Sequence, residues 1–218
     1  MLNIFVILTW NLLYKFYMKL IKYNIIKDTS KFTNNKQKQI YITDTTLIRN
    51  KNGIDNISHN PIDNKHNTTK ISIVSNLETI IDIKVYDSIV YDSKIFDLQL
   101  DSLDNLNNKH EKILLADKAY DSNNLREKLK LKNMRLICPY NKRNTKDINK
   151  IKKLSNKEKQ LLKKRLYIER INNYLKKCKR LINRYDKFNN NFYNTVLFYS
   201  IIYNLTVIDN KKIKESKE

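Results

Sequence analysis

Three carboxylates stand out by type and position. Asp44 follows the run 40–43 (IYIT), Asp117 follows 113–116 (ILLA), and Glu169 lies much later, within LYIERINNYL. A strand buried in a sheet seldom ends in a carboxylate unless solvent or a cation lies beside it. Two readings stand for each aspartate alone: a turn-former or helix cap, or a catalytic group. Glu169 falls in a helix expected from Ser155 to about Asn183, in which Ile168, Ile171, Leu175, Cys178 and Ile182 form one apolar stripe. At about 100° per residue, Glu169 lies about 40° and Lys176 about 20° round from Arg165, so the three share a face beside that stripe. A surface ion pair accounts for this arrangement. A carboxylate at the edge of the core, flanked by cations that can hold phosphates, is the chemical alternative.

The scarce residue types exclude other chemistry. Gly53 is the only glycine, which rules out glycine-rich phosphate loops, the dinucleotide fingerprint and the nucleophile elbow. Three histidines (His59, His66, His110) and two distant cysteines (Cys138, Cys178) do not make a zinc finger or a histidine-rich zinc site. A metal would have to be held by carboxylates, which favours a hard ion such as magnesium. His59 and His66 read as surface residues of a loop, and the cysteines as ordinary buried side chains.

Lysine and arginine number 43 against 22 aspartates and glutamates, a formal charge of +21. Such an excess points to a polyanionic partner. AT-rich codon usage is the competing account, but drift would spread lysine evenly, whereas the charge is densest from Lys142 to Lys187. With 41% hydrophobic residues the chain has enough apolar side chains for a core. Its N-terminal apolar run, to about Leu13, is too short to span a bilayer and lacks the features of a signal peptide. A buried amphipathic helix is expected there, in an intracellular, reducing compartment and not in a membrane.

These residues need elements to position them. A linker is expected over 27–39, a short strand at 40–43 ending at Asp44 with Thr45 to Arg49 continuing it, and a loop at 50–69. A hairpin follows, with strands 70–75 and 79–86. Asp92 or Ser93 could cap a helix to about Leu106. A strand 113–116, a helix 123–131 capped by Ser122, and a strand 134–138 come next. A basic loop 140–153, the long helix, a last helix from about Asn190 to Leu205, and a frayed basic tail complete the chain. This order predicts an α/β fold with a mixed sheet.

The phrase LLADKAYDSNNLREKLK, then PYNKR, then an R-x3-E-x6-K pattern, then RYDK resembles the DDE transposases of insertion sequences, in the IS-five-like and IS-four-like branch. The aspartate phrase of that family is matched by Ala116 to Ser122, with Ala119 where the family has glycine. Its helical signature is matched by Arg165, Glu169 and Lys176, with Leu162 where the family has tyrosine. Asp44 in YITDTTLIRN fits the first family aspartate. The resemblance covers about residues 38–205. It implies a ribonuclease-H-like fold: a mixed sheet flanked by helices, with 1–37 as an N-terminal helix and linker, 38–206 as the catalytic domain and 207–218 as a basic tail.

The resemblance also implies that Asp44, Asp117 and Glu169 converge on two Mg2+ ions, with Mn2+ as a substitute. Three such carboxylates repel, so without metal at least one should have a raised pKa. The partners implied are double-stranded DNA, as element ends and target, and a second copy of the chain on DNA. Arg165 and Lys176 are expected at phosphates. For Arg184 and Tyr185 of RYDK, DNA contact by phosphate pairing and stacking stands beside a structural role at the helix end. Asp92 matches a position where the family commonly carries aspartate, although capping explains it without catalysis, and Asp121 orients its turn. Only 43 residues precede Asp44, fewer than related transposases carry, so a truncated or repurposed copy that binds DNA without cutting it is the rival reading. Another ribonuclease-H-like nuclease acting on RNA or hybrids is a further rival, disfavoured by the helical signature.

Overall fold

The computed structural model describes Lys15, Lys19 and residues 40–59, 66–100, 111–141 and 154–215. Apart from those two lysines, the expected N-terminal helix and linker lie outside the described residues. So do most of the basic loop and the continuation of the first expected helix toward Leu106.

Alternating β-branched and apolar residues build the first half. Strand β1 (Ile40–Asn50) pairs antiparallel with β3 (Asn67–Ser75), and β3 pairs antiparallel with β4 (Ile80–Asp87). A two-residue strand β2 (Ser58–His59) also joins β3. Helix α1 (Asp92–Gln99) follows, and then β5 (Lys112–Leu115), helix α2 (Asn123–Leu131) and β6 (Met134–Ile137). β5 lies parallel to β1, and β6 parallel to β5. Among the described residues the sheet has seven strands in the order β2–β3–β1–β5–β6, with β4 also on β3 and β7 (Asn183–Arg184) on β1. It is a mixed sheet with helices on both faces, as expected.

Strand alternation divides the core in two. Ile42, Ile48, Ile71, Ile73 and Leu115 pack with Ile168, Ile171, Leu175, Phe192 and Val196 of the later helices. On the other face Tyr41, Val74 and Leu114 pack with Phe96, Leu125 and Leu129 of α1 and α2.

The second half departs from the expected single long helix. A capping box formed by Ser155 and Glu158 starts α3 (Asn156–Leu162), a 3₁₀ turn spans Lys163–Arg165, and α4 (Leu166–Leu175) follows. Beyond Leu175 the backbone turns out of the helix, passes through a second 3₁₀ turn (Lys179–Leu181), and enters β7. Ile168, Ile171 and Leu175 are buried as the stripe requires, but Cys178 is half-buried and Ile182 is 48% exposed. The stripe therefore ends two residues short of its apparent length. No glycine or proline stops the helix. The competing force is pairing of Asn183 and Arg184 with Arg49 and Asn50 of β1. The last helix, α5 (Asn189–Glu215), runs well beyond the expected end near Leu205. Among the described residues no helix is long and apolar enough to cross a membrane.

β7 carries a correction of its own. Arg184, one of the expected DNA contacts, has no exposed surface. All five of its N–H donors are engaged: Nε with the Asp186 carbonyl, Nη1 with the Asp55 carbonyl and Thr69 Oγ1, Nη2 with the Asp55 carboxylate and the Lys187 carbonyl. Its guanidinium also lies 5.3 Å from the centre of the Phe192 ring. Arg184 is thus a structural clamp joining the loop after β1, strand β3 and the start of α5. The single glycine makes room for it. A Cβ on Gly53 would stand 2.6 Å from Arg184 Nε and closer still to Asn50 Oδ1, whose amide spans the Asn50–Gly53 turn.

Gly53→Ala should lower stability by about 1–3 kcal/mol through overpacking, and Arg184→Ala by at least about 2 kcal/mol through lost hydrogen bonds and orphaned carbonyls. In the Arg184→Ala background the Gly53→Ala cost should fall, because the guanidinium is gone, but not vanish, because Asn50 Oδ1 still stands against the added Cβ. Urea unfolding of the four proteins of this cycle measures the coupling, and strict additivity would contradict it.

Candidate active site

One edge of β1 is paired with β3 from Ile42 to Arg49. Its other edge carries β5 at Ile40–Ile42 and β7 at Arg49–Asn50. Between them, residues 43–48 have no strand neighbour on that side among the described residues. Asp44 sits in this gap. It is therefore not at a strand end, as the sequence suggested, but in mid-strand where the neighbour has ended. Its position alternates with Ile42 and Ile48, which sends the side chain to the face covered by α4 and α5.

Asp117 reaches the same place from the end of β5. It begins a 3₁₀ turn (Lys118–Tyr120) by accepting a 2.7 Å hydrogen bond from the Lys118 amide. Tyr120 anchors that turn, buried edge-on against Phe96. Asp121 ties it to β6, since its carboxylate accepts from Arg126 and from the Asn141 amide. Ser122 is the N-cap residue of α2, although its side chain makes no cap hydrogen bond.

Arg165 joins the two aspartates. Nη2 lies 3.8 Å from Asp44 Oδ1 and Nη1 lies 3.7 Å from Asp117 Oδ1. These are ion-pair distances rather than hydrogen bonds. The other Asp44 oxygen, Oδ2, accepts a 3.2 Å bond from Asn172 Nδ2. Burial raises the Asp44 pKa to about 6; Arg165 and the Thr45 amide oppose the shift, while Asp117 and Asp92 add to it. The rise expected from repulsion between carboxylates thus comes first from desolvation, with repulsion secondary.

Asp92 stands on the opposite face from Asp44. It is not the N-cap of α1, a position taken by Tyr91, but a first-turn residue whose carboxylate accepts from Lys70 Nζ at 2.8 Å and Thr45 Oγ1 at 3.0 Å. Glu169 lies on α4 one turn beyond Arg165 and is exposed. Among the described residues no three His, Cys, Asp or Glu side chains group closely enough to hold a metal ion. The structure brings Asp44 and Asp117 to one cation and leaves Glu169 exposed on α4, not grouped with them. Lys176 is exposed at the end of α4, and Tyr185 is 51% exposed. His59 is exposed, and His66 is half-buried. Cys138 is buried, and burial pushes its thiol up to about 12.

Residues 35–205 match the transposase DDE domain family. The chain belongs to that family. Among solved structures, a piggyBac transposase synaptic complex with hairpin DNA aligns with a TM-score of 0.59 at 9% identity, covering 92% of this chain and 56% of that one. The catalytic domain of Mos1 mariner transposase aligns at a TM-score of 0.36 and 11% identity, over 86% of this chain and 82% of that one. At such identities the piggyBac likeness concerns the fold alone, and the chain spans little more than half of that protein. No curated protein matches the sequence.

Within this transposase domain, sequence reasoning missed Asn172. The signal was present, since residue 172 is seven positions after Arg165 and so lies about 20° from it on an ideal helix. An amide on that face was overshadowed by the charged residues around it.

The raised pKa of Asp44 has a stability consequence. A carboxyl that holds its proton more tightly when folded favours the folded state at low pH, and this contribution is lost as pH rises from about 4 to about 6. In metal-free buffer, Asp44→Asn should therefore stabilise the protein at pH 7, by at most about 3 kcal/mol, and the gain should shrink toward zero near pH 4. Thermal unfolding at the two pH values checks this, and a gain independent of pH would contradict it.

Proposed function

We propose that this chain is the catalytic domain of a DNA transposase, which cuts and joins phosphodiester bonds at the ends of a mobile element. The observation that carries the reading is the convergence of Asp44 and Asp117, from neighbouring strands, on one guanidinium at a gap in the sheet. An arginine held between two carboxylates marks a position suited to positive charge. The donors there are hard oxygens, as magnesium or manganese requires. Asp44 and Asp117, completed by Glu169 from α4, would hold the metal. Divalent ions bound there supply an activated water or 3′-hydroxyl and stabilise the leaving oxygen.

The chain's own residues do the rest. Asp44 must be ionised, which a pKa of about 6 allows at neutral pH. Arg165, held only by long contacts, is free to exchange carboxylates for a DNA phosphate. Lys176 and Tyr185 lie exposed on the segments that follow, suited to phosphate contact and stacking. The same region carries cations over aromatic rings: Arg170 over Tyr167, Lys177 over Tyr174 and Lys187 over Phe188. Such pairs offer charge and a flat apolar surface together, the combination that nucleic acids bind. Duplex DNA and a second copy of the chain are the partners this reading requires.

A second reading, a copy that binds DNA without cutting it, draws on the same arginine, because Arg165 as placed offsets part of the pair's charge without any metal. Incubation of supercoiled plasmid carrying the element ends with Mg2+ or Mn2+ separates the two. Wild type should nick it, and Glu169→Gln should abolish nicking while retaining DNA binding. Lys176→Ala should weaken binding and keep the metal dependence. Affinity should fall by about 1,000-fold or more between 50 and 200 mM salt if six to ten phosphates are contacted. Tight binding without nicking by wild type would favour the non-cutting copy, and equal nicking by wild type and Glu169→Gln would place the activity elsewhere.

A further inference from the structure

Asn172 occupies a position that packing alone does not explain. It lies on α4 between Ile168 and Leu175, both buried, and is itself only 9% exposed. An apolar side chain would serve the core better there, because a buried amide works against stability unless all its polar atoms are paired. Here only half of the amide is paired as far as Asp44 is concerned. Nδ2 donates to Asp44 Oδ2, and Oδ1 is buried with no hydrogen-bond partner. Arg165 shows the complementary lack, since its buried Nε also has no partner. Both residues that touch Asp44 therefore keep one unmet polar atom, an acceptor on one and a donor on the other.

Resting on the transposase reading above, we propose that Asn172 is a positioning residue for the Asp44 carboxylate. By holding Oδ2 it fixes the rotation of the carboxylate and commits Oδ1 to the position that Arg165 faces, which is where a divalent cation would be shared with Asp117. On the edge of β1 away from β3, no strand among the described residues stands beside Asp44 to limit the rotation of its carboxylate. α4 supplies the limit. The unmet Oδ1 of Asn172 is an acceptor available to water around the ion. Groups of this kind, which orient a ligand without touching the metal, typically change affinity by about 10–100-fold.

The test measures Mn2+ affinity of the full chain at pH 7.5 by electron paramagnetic resonance, alongside thermal unfolding. Asn172→Leu keeps the branching and heavy-atom count of the side chain and removes both polar atoms; Asn172→Ala, which cannot overpack, serves as a second variant. Both should bind Mn2+ about 10–100-fold more weakly than wild type. Both variants should remain folded in metal-free buffer at the assay temperature, so that the lost Mn2+ affinity reads positioning and not unfolding. The Mn2+ concentration for half-maximal plasmid nicking should rise by the same factor. Wild-type affinity in Asn172→Leu, with binding lost in Asp44→Asn, would overturn the positioning role and leave the transposase reading standing. Absence of Mn2+ binding in wild type would overturn both.

Discussion

The placement of the Asp44 carboxylate governs how the rest of this structure is arranged. A charged group on the covered face of the sheet's central strand loses hydration, and its raised pKa records that loss. Three features answer it. The neighbouring strand β5 ends beside Ile42, so the edge beyond is open. Arg165 brings a positive charge, and Asn172 brings a hydrogen bond. Both come from one short stretch of chain, so the register in which Ile168, Ile171 and Leu175 enter the core also brings Arg165 and Asn172 to the carboxylate.

The opposite end of the gap is held by a different buried charge. Arg184 fills β7 and the turn around Gly53, with every donor used and Phe192 against its face. A buried cation with all its donors paired acts as a fastener, since withdrawing it would orphan several backbone carbonyls at once. It fixes the chain after α4 to the far end of β1, and Asp55 also accepts from the Asn189 amide at the start of α5. Asn204, further along α5, exchanges two hydrogen bonds with the backbone of Ile80 in β4. The gap in the sheet is thus bounded on one side by β5 and on the other by a clamp, which keeps it open as a site.

Two arginines of the same sequence neighbourhood have opposite fates for a physical reason. Arg165 faces carboxylates at ion-pair distance with solvent nearby, so its contacts are exchangeable. Arg184 is enclosed by carbonyls and an aromatic ring, so its contacts are not. Sequence reasoning offered DNA contact for both, for Arg165 from the R-x3-E-x6-K pattern and for Arg184 of RYDK beside a structural role at the helix end. Nothing local distinguishes a guanidinium that will be covered from one that will not.

Much of the fold was legible because it is written locally. Period-two runs such as KISIVS and TIIDIKVY announced the hairpin, and ILLA followed by Asp117 marked the strand end that became half of the site. Ser122 marked the start of α2, and the family phrases around Asp117 and Glu169 named the domain. What the sequence could not decide is what depends on distant partners. The helix expected through Asn183 breaks after Leu175 because pairing of β7 with β1 and burial of Arg184 outweigh local helix preference. The mid-strand location of Asp44 depends on where β5 stops, some 70 residues later. Asn172 acquires a role only because α4 docks over that carboxylate. Residue types and periodicity determined which groups could do chemistry; the tertiary structure decided which of them meet, because burial and pairing are set by neighbours that the local sequence does not contain.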